Sequence, residues 1–402
     1  MNEVKAIKVS VLQDAKPPDA ALQETLKSIE HLRLLKGAQD PETFLNLYEA
    51  RPPDLVLVEL NGRGDIPPWV EQVIERLPKS RILLCSQSRD PDFLIRVMKL
   101  RPGGFIPLPL NREDLVATLG RLRLEKAQDA GAAQGQVLAV TGTKGGVGTT
   151  TAAVNLAVAL ADRLGGGVLL VDLARPFPHV GQFLDLSGTH TVMDLAESPE
   201  SLDPLFLEKV VQKHPSGLEV LLGQPLHHPQ ASAELPDHRS LNKILTFIQS
   251  FYDWVVVDLG TSWDLLHVRM LQRADQVLLI TELTVPHLQN LKRIRTLWPE
   301  WDLEDSALKV VVNRYVKDYT LGLKDVERIC FQPAFFTLPN DYASLREALN
   351  QGMALGDLAP RSKLWRSFKE LAGKLVAERQ LQTEKHVAAR PGFFRRLLQK
   401  ER

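Results

Sequence analysis

The stretch QVLAVTGTKGGVGTTTAAVNLAVALADRL, residues 136–164, constrains this 402-residue chain more than any other part of it. A short apolar run enters a glycine-bearing loop, and the loop leads straight into an alanine- and leucine-rich helix. In that order, successive backbone N–H groups and a helix N-terminus surround one point and form an anion site. Gly145, Gly146 and Gly148 let the backbone approach phosphate oxygens with no side chain in the way, and Thr150 is placed to reach magnesium. Two positions depart from the general phosphate-loop pattern. Thr143 stands where the first glycine belongs, and Thr149 stands where a lysine normally precedes the hydroxyl residue. A glycine-rich turn of this kind can also serve packing alone.

Short apolar runs alternate with amphipathic stretches on both sides of this loop. IKVSVL, DLVLVEL, RILLCS and GGFIPL come before it, and GGGVLLVDL, LEVLLG, WVVVDLG, DQVLLITE, LKVVVNRY and AFFTLP come after it. Near-continuous apolar runs of this length are those of parallel strands covered on both faces. The fold class expected is α/β, with two doubly wound parallel-sheet domains and ligands at the carboxyl ends of the strands. Residues 1–124 form the first domain, and the small polar run at residues 125–136 is a linker. The second domain spans 137–380, with a last helix around Lys363 to Glu378, and a basic amphipathic tail occupies 381–402.

Acidic and basic residues balance at 49 each, so there is no global attraction to nucleic acid, and the second domain carries no concentrated basic patch. Cys85 and Cys330 match no metal-ligand spacing, as expected of a reduced, cytoplasmic protein without disulfides. The N-terminus lacks the apolar core of a secretory signal, and no apolar run approaches membrane-spanning length. Arg63-Gly64-Asp65 reads as a solvated turn.

The KGGVG arrangement, with its lysine early in the loop, resembles the deviant Walker A loop of the ParA/MinD superfamily. The resemblance spans Gln136 to roughly Glu378. It implies ATP and Mg2+ as cofactors, with Thr143, Lys144, Gly145, Gly146, Val147, Gly148, Thr149, Thr150 and Thr151 around the phosphates. Lys144 would cross a homodimer interface to the partner's nucleotide. VLLVDLARP resembles the first switch, where Asp172 is kept and Ala174 replaces a second aspartate that helps position the attacking water. YDWVVVDLG resembles the Walker B strand, with Asp258 at its tip. VVVNRY resembles the adenine-contacting segment, with Asn313 and Arg314 as candidates. Thr150, Asp172 and Asp258 are thus the expected metal residues, and Lys144, Asp172 and Asp258 the expected catalytic ones. Losing one charged donor should weaken phosphate binding by about 1.5–3 kcal/mol, whereas hydrolysis depends more heavily on positioned cations.

Residues 6–123 resemble a response-regulator receiver whose chemistry is gone. Its acidic pair has become Gln13-Asp14, its nucleophile Glu59 and its lysine Leu108-Pro109, with Ser86 retained. Glutamate is one methylene too long for attack on a phosphodonor. The domain is then a docking or dimerisation surface. A degenerate receiver fused to a lysine-poor MinD-like domain resembles the CpaE/TadZ group, which implies partners in tight-adherence (Flp, type IVc) pilus or secretion assembly and placement at a cell pole. LPNDYASLREALNQG resembles that group's segment near the last strand. In the tail, Phe393, Phe394, Leu397 and Leu398 share a helical stripe beside Arg395, Arg396 and Lys400, and resemble the membrane-targeting helix of MinD relatives. Such a helix would give peripheral contact with the inner membrane; alternatively the tail packs on protein. The competing reading of the whole chain is a cycling ATPase that positions a division, flagellar or partition apparatus.

Overall fold

The computed structural model of the chain describes residues 7–13, 25, 26, 32–60, 66–78, 80–100, 103–110, 115, 135–197, 202, 204–224, 238–317 and 320–388. Asp14, Arg63-Gly64-Asp65, most of the expected linker and the stripe Phe393, Phe394, Leu397 and Leu398 lie outside the described residues. The chain divides into two compact units, one covering Glu3–Lys126 and the other chiefly Ala127–Leu202 and Phe206–Arg402.

In the first unit the elements run β1 (Ile7–Gln13), β2 (Leu32–Leu34), α1 (Pro41–Tyr48), β3 (Leu55–Leu60), α2 (Trp69–Arg76), β4 (Arg81–Ser86), α3 (Pro91–Lys99) and β5 (Gly104–Pro107). Asp40 starts α1 by accepting the Thr43 N–H at 2.7 Å, and Pro41 supplies a first residue that needs no N–H partner. All the strands pair in parallel, in the order β2-β1-β3-β4-β5, one of the two common doubly wound orders. Leu55 and Leu57 belong to one buried cluster and Val56 and Val58 to another, so alternate side chains feed cores on opposite faces. That two-sided burial is why the runs read as continuously apolar. The three-residue β2 was missed in the sequence because LRL is too short to show a period.

The second unit continues with β6 (Gln136–Gly142), α4 (Thr149–Leu164), β7 (Val168–Asp172), α5 (Val180–Phe183), α6 (Val192–Glu197), α7 (Pro204–Val210), β8 (Gln212–Lys213), β9 (Glu219–Leu221) and α8 (His238–Gln249). Then come β10 (Trp254–Asp258), α9 (Leu265–Arg273), β11 (Gln276–Thr281), α10 (Val285–Leu297), β12 (Leu308–Tyr315), α11 (Leu323–Cys330), β13 (Phe336–Pro339), α12 (Tyr342–Asn350), α13 (Leu355–Leu358) and α14 (Lys363–Ala388). Strand order is β13-β12-β11-β6-β10-β7-β9-β8. Seven strands are parallel as expected. The last pairing, β8 with β9, is antiparallel, so the sheet is mixed at that edge, where a short return strand covers open backbone groups. Gln136, placed at the end of the linker from its polarity, is the first residue of β6 instead. The final helix runs ten residues past the expected Glu378.

The chain leaves β6 toward β7 on one flank and later crosses to β11, β12 and β13 on the other. The crevice therefore opens at the carboxyl end of β6. Helix α4 starts there and is buried along most of its length, packed in one core with α14 residues Leu364, Phe368, Leu371 and Leu375. Its small side chains allow that close burial. Trp254 anchors the other end of the unit, fully buried with the Arg379 guanidinium 5.5 Å from its ring centroid. Trp254→Ala is expected to cost about 3–5 kcal/mol in a urea unfolding series, as a large core truncation does.

Candidate nucleotide site

Three neighbouring strands, β6, β10 and β7, end side by side, with Asp258 registered against Asp172 and Val140. The loop leaving β6 is tied down from outside. The Thr143 N–H donates to the Ile280 carbonyl at 2.9 Å, its hydroxyl lies 3.0 Å from His287 Nδ1 and donates to Thr281 Oγ1 at 3.2 Å, and its carbonyl accepts from Asn290 Nδ2 at 3.0 Å. Thr143 was expected among the ligand-binding residues, but all its polar groups serve as a brace. A glycine there could offer only its backbone, so the threonine exchanges loop freedom for an anchor. Val147 likewise faces the core with its side chain fully buried, and its carbonyl accepts from Asn313 Nδ2 at 2.8 Å. Asn313, read as an adenine contact, thus holds the loop itself. Gly148 has φ +92°, and a Cβ there would come within 2.6 Å of that same Asn313 Nδ2, so both conformation and space require glycine.

Gly145, Gly146, Gly148, Thr149, Thr150 and Thr151 line a cavity of about 380 Å³, within the usual range for a small-molecule site. Thr149 is buried, and a Cβ on Gly142 would meet its hydroxyl at 2.3 Å. The position that would carry an ammonium therefore carries a hydroxyl packed against the strand end. Lys144 is exposed and does not border the cavity. Arg314 does border it, with Nη1 donating to Glu282 Oε1 at 2.7 Å.

Behind the cavity-lining Thr150 and Gly260 lies a buried pair of acids. Asp172 Oδ1 accepts from the Ala174 N–H at 3.0 Å and Oδ2 from the Val180 N–H at 2.9 Å. Burial, with the nearby Asp258 charge, pushes its carboxyl up to about 7. Asp258 is also raised by burial, against the pull of the facing Thr150 hydroxyl and the Gly260 N–H, which donates to Oδ1 at 3.0 Å. Asp258 Oδ2 is buried with no hydrogen-bond partner. Two buried acids and an orphaned oxygen beside a hydroxyl suit a hard divalent cation such as Mg2+, for which Thr150, Asp172 and Asp258 are the fitting residues. Bound there, the ion would supply charge neutralisation for phosphate oxygens. Ala174 sits beside Gly260 with no polar side-chain atom to hold a water.

Sequence reasoning missed several residues at the cavity. His179, Thr261, Asn340, Asp341, Tyr342 and Arg346 all border it. The later four lie in LPNDYASLREALNQG, the segment noted for its family resemblance, which begins at the end of β13; the resemblance marked none of them as site residues. The loop beyond Asp258 also carries an ordered relay. The Trp263 N–H donates to His267 Nδ1 at 3.3 Å, so Nε2 carries the proton toward Thr141 Oγ1 at 2.9 Å, and that hydroxyl donates to the Gly260 carbonyl at 3.0 Å. Burial pushes His267 down to about 4, which keeps it neutral.

In the first unit Gln13, Glu59 and Ser86 also converge at a carboxyl edge. Gln13 Nε2 donates to Glu59 Oε2 at 2.6 Å, so the carboxylate in the nucleophile's place is already engaged. The thiols are inert. Burial, together with Glu59, pushes Cys85 up to about 12, and burial pushes Cys330 up to about 11. Among the described residues no helix is long and apolar enough to cross a membrane.

Residues 135–298 match the family model for an AAA domain. The septum site-determining protein MinD of Thermotoga maritima is 24% identical over 251 residues, covering 61% of this chain and 89% of that protein. The antiactivator FleN of Pseudomonas aeruginosa is 34% identical over 146 residues, 36% of this chain and 50% of FleN. Among solved structures, a ParA family ATPase from Chlorobium tepidum aligns over 60% of this chain and 99% of its own, with a TM-score of 0.55 and 24% identity. MinD of Pyrococcus horikoshii, solved as a complex with Mg-ADP, aligns over 60% and 95% with a TM-score of 0.51 and 20% identity. These structures share the fold.

Proposed function

We propose that this protein is an ATP-binding localisation factor of the ParA/MinD ATPase superfamily, a reading supported by the AAA-domain match and by the similarity to MinD and FleN. Its dimer recruits assembly proteins of a tight-adherence (Flp, type IVc) pilus or a related secretion machine, and it hydrolyses nucleotide slowly or not at all. One observation carries this reading. The cavity keeps its glycine-bearing loop, and the acid pair with the unpartnered Asp258 oxygen is kept behind Thr150, but a buried hydroxyl stands at Thr149 and a methyl group at Ala174. Holding a phosphate chain needs the first set, whereas splitting it needs a cation and a carboxylate at the two positions that Thr149 and Ala174 now occupy. Lys144, exposed and outside the cavity lining, supports pairing with a second copy, to whose nucleotide it would reach. The first unit is the docking or dimerisation surface.

Saturating MgATP should raise the thermal midpoint by roughly 5–10 °C, because a ligand at a hundred times its Kd adds about 2.7 kcal/mol. An unchanged midpoint would refute the reading. A phosphate-release assay should find turnover near background; a robust rate that disappears in Lys144→Ala would favour the cycling ATPase instead.

A further inference from the structure

We infer that His179 reads the terminal phosphate of the nucleotide, its imidazole N–H donating to a γ-phosphate oxygen so that the site separates tri- from diphosphate. The inference rests on the nucleotide reading of the cavity.

His179 borders the cavity, as do Thr150 and Gly260, whose hydroxyl and N–H face Asp258. The next residue, Val180, donates its N–H to Asp172 Oδ2 at 2.9 Å, which holds His179 next to the acid pair. Magnesium and the last phosphates belong at the end of the cavity nearest that pair, since Thr150 lines it with its hydroxyl against Asp258. The side chain is uncommitted there. His179 is exposed, and it precedes α5 without making a side-chain cap hydrogen bond.

Of the other side-chain nitrogen donors on the cavity wall, Asn313 and Arg314 are engaged, and Asn340 and Arg346 come from the segment after β13, which lies five strands from β7 in the sheet order. Asn313 donates to the Val147 carbonyl and Arg314 to Glu282. Asn340 leaves the end of β13, and the Arg346 guanidinium lies 5.7 Å from the Tyr342 ring centroid. With Thr149 in the lysine position, a donor to the outermost phosphate has to come from another element, and the segment after β7 brings one. An imidazole carries an N–H in either charge state, so the contact needs no particular protonation.

Calorimetric titration of the full chain with MgATP and with MgADP tests this in wild type, His179→Ala and His179→Gln. His179→Ala should weaken MgATP by about tenfold or more, the size of one charge-assisted hydrogen bond, and leave MgADP within about twofold. His179→Gln keeps an N–H donor of similar reach and should recover most of the ATP affinity. Because His179 is exposed and the Val180 bond to Asp172 survives both changes, the thermal midpoints without nucleotide should stay together. Equal losses for both nucleotides, or no loss for ATP, would overturn the assignment. Wild type that took up neither nucleotide would overturn the proposed function as well.

Discussion

Asp258→Asn will raise the stability of the nucleotide-free protein and remove most of its response to MgATP. The wild-type carboxylate is fully buried, with one oxygen bonded to Gly260 and the other unpartnered. Neutralising it relieves a buried charge, worth about 1–3 kcal/mol at neutral pH. The same change deletes the oxygen best placed for magnesium, so the loss in MgATP affinity should be about 10- to 100-fold. Opposite signs for stability and binding mark a functional site. A surface or packing residue would not give that pair of results.

The acid pair also fixes a pH dependence. Burial and Asp258 raise Asp172 to about 7, above its ordinary value of 3.8. The folded state therefore binds more protons than the unfolded state between those values. The stability contributed by this group is complete below about 4 and is lost as the pH rises toward and through 7, at about 1.4 kcal/mol per pKa unit. Magnesium-free protein compared with Asp172→Asn in urea should show the steeper slope in the wild type, because Asp258, itself raised by burial, titrates in both, and added Mg2+ should flatten it.

Thr149→Lys should tighten ATP binding by roughly tenfold or more, the value of a charged donor to phosphate. Turnover should remain low, because Ala174 still cannot orient a water. Adding Ala174→Asp should then raise the rate by about 10²-fold or more, as restored general-base or water positioning does. If Thr149→Lys alone gave full turnover, the weight placed on Ala174 would be misplaced. Were neither variant to change ATP affinity, the loop would not be touching phosphate.

Much of this architecture was legible because burial on both faces of a parallel sheet writes itself as runs such as WVVVD and QVLLIT. The phosphate loop was legible for a different reason, since Gly148 is forced by both a positive φ and the Asn313 side chain. What escaped were features without period. β2 and β8 have three and two residues, and β8 turns back only because it pairs with β9. The brace formed by Thr143, His287 and Asn290 joins residues 144 and 147 positions apart, which no local pattern shows. Asn313 was legible as a site residue but not as a donor to Val147, because its partner depends on how β12 meets the loop. His179 follows a switch-like strand yet lies in no motif. Its importance comes only from its place beside Asp172 and Asp258.

Equilibrium binding of MgATP to the purified full-length protein is the most direct test of whether backbone amides, a hydroxyl and two buried acids suffice to hold a triphosphate without the missing ammonium. Saturable uptake of one nucleotide per chain, abolished by chelating the metal, is the result expected. Absence of uptake by well-folded protein at millimolar nucleotide would contradict it.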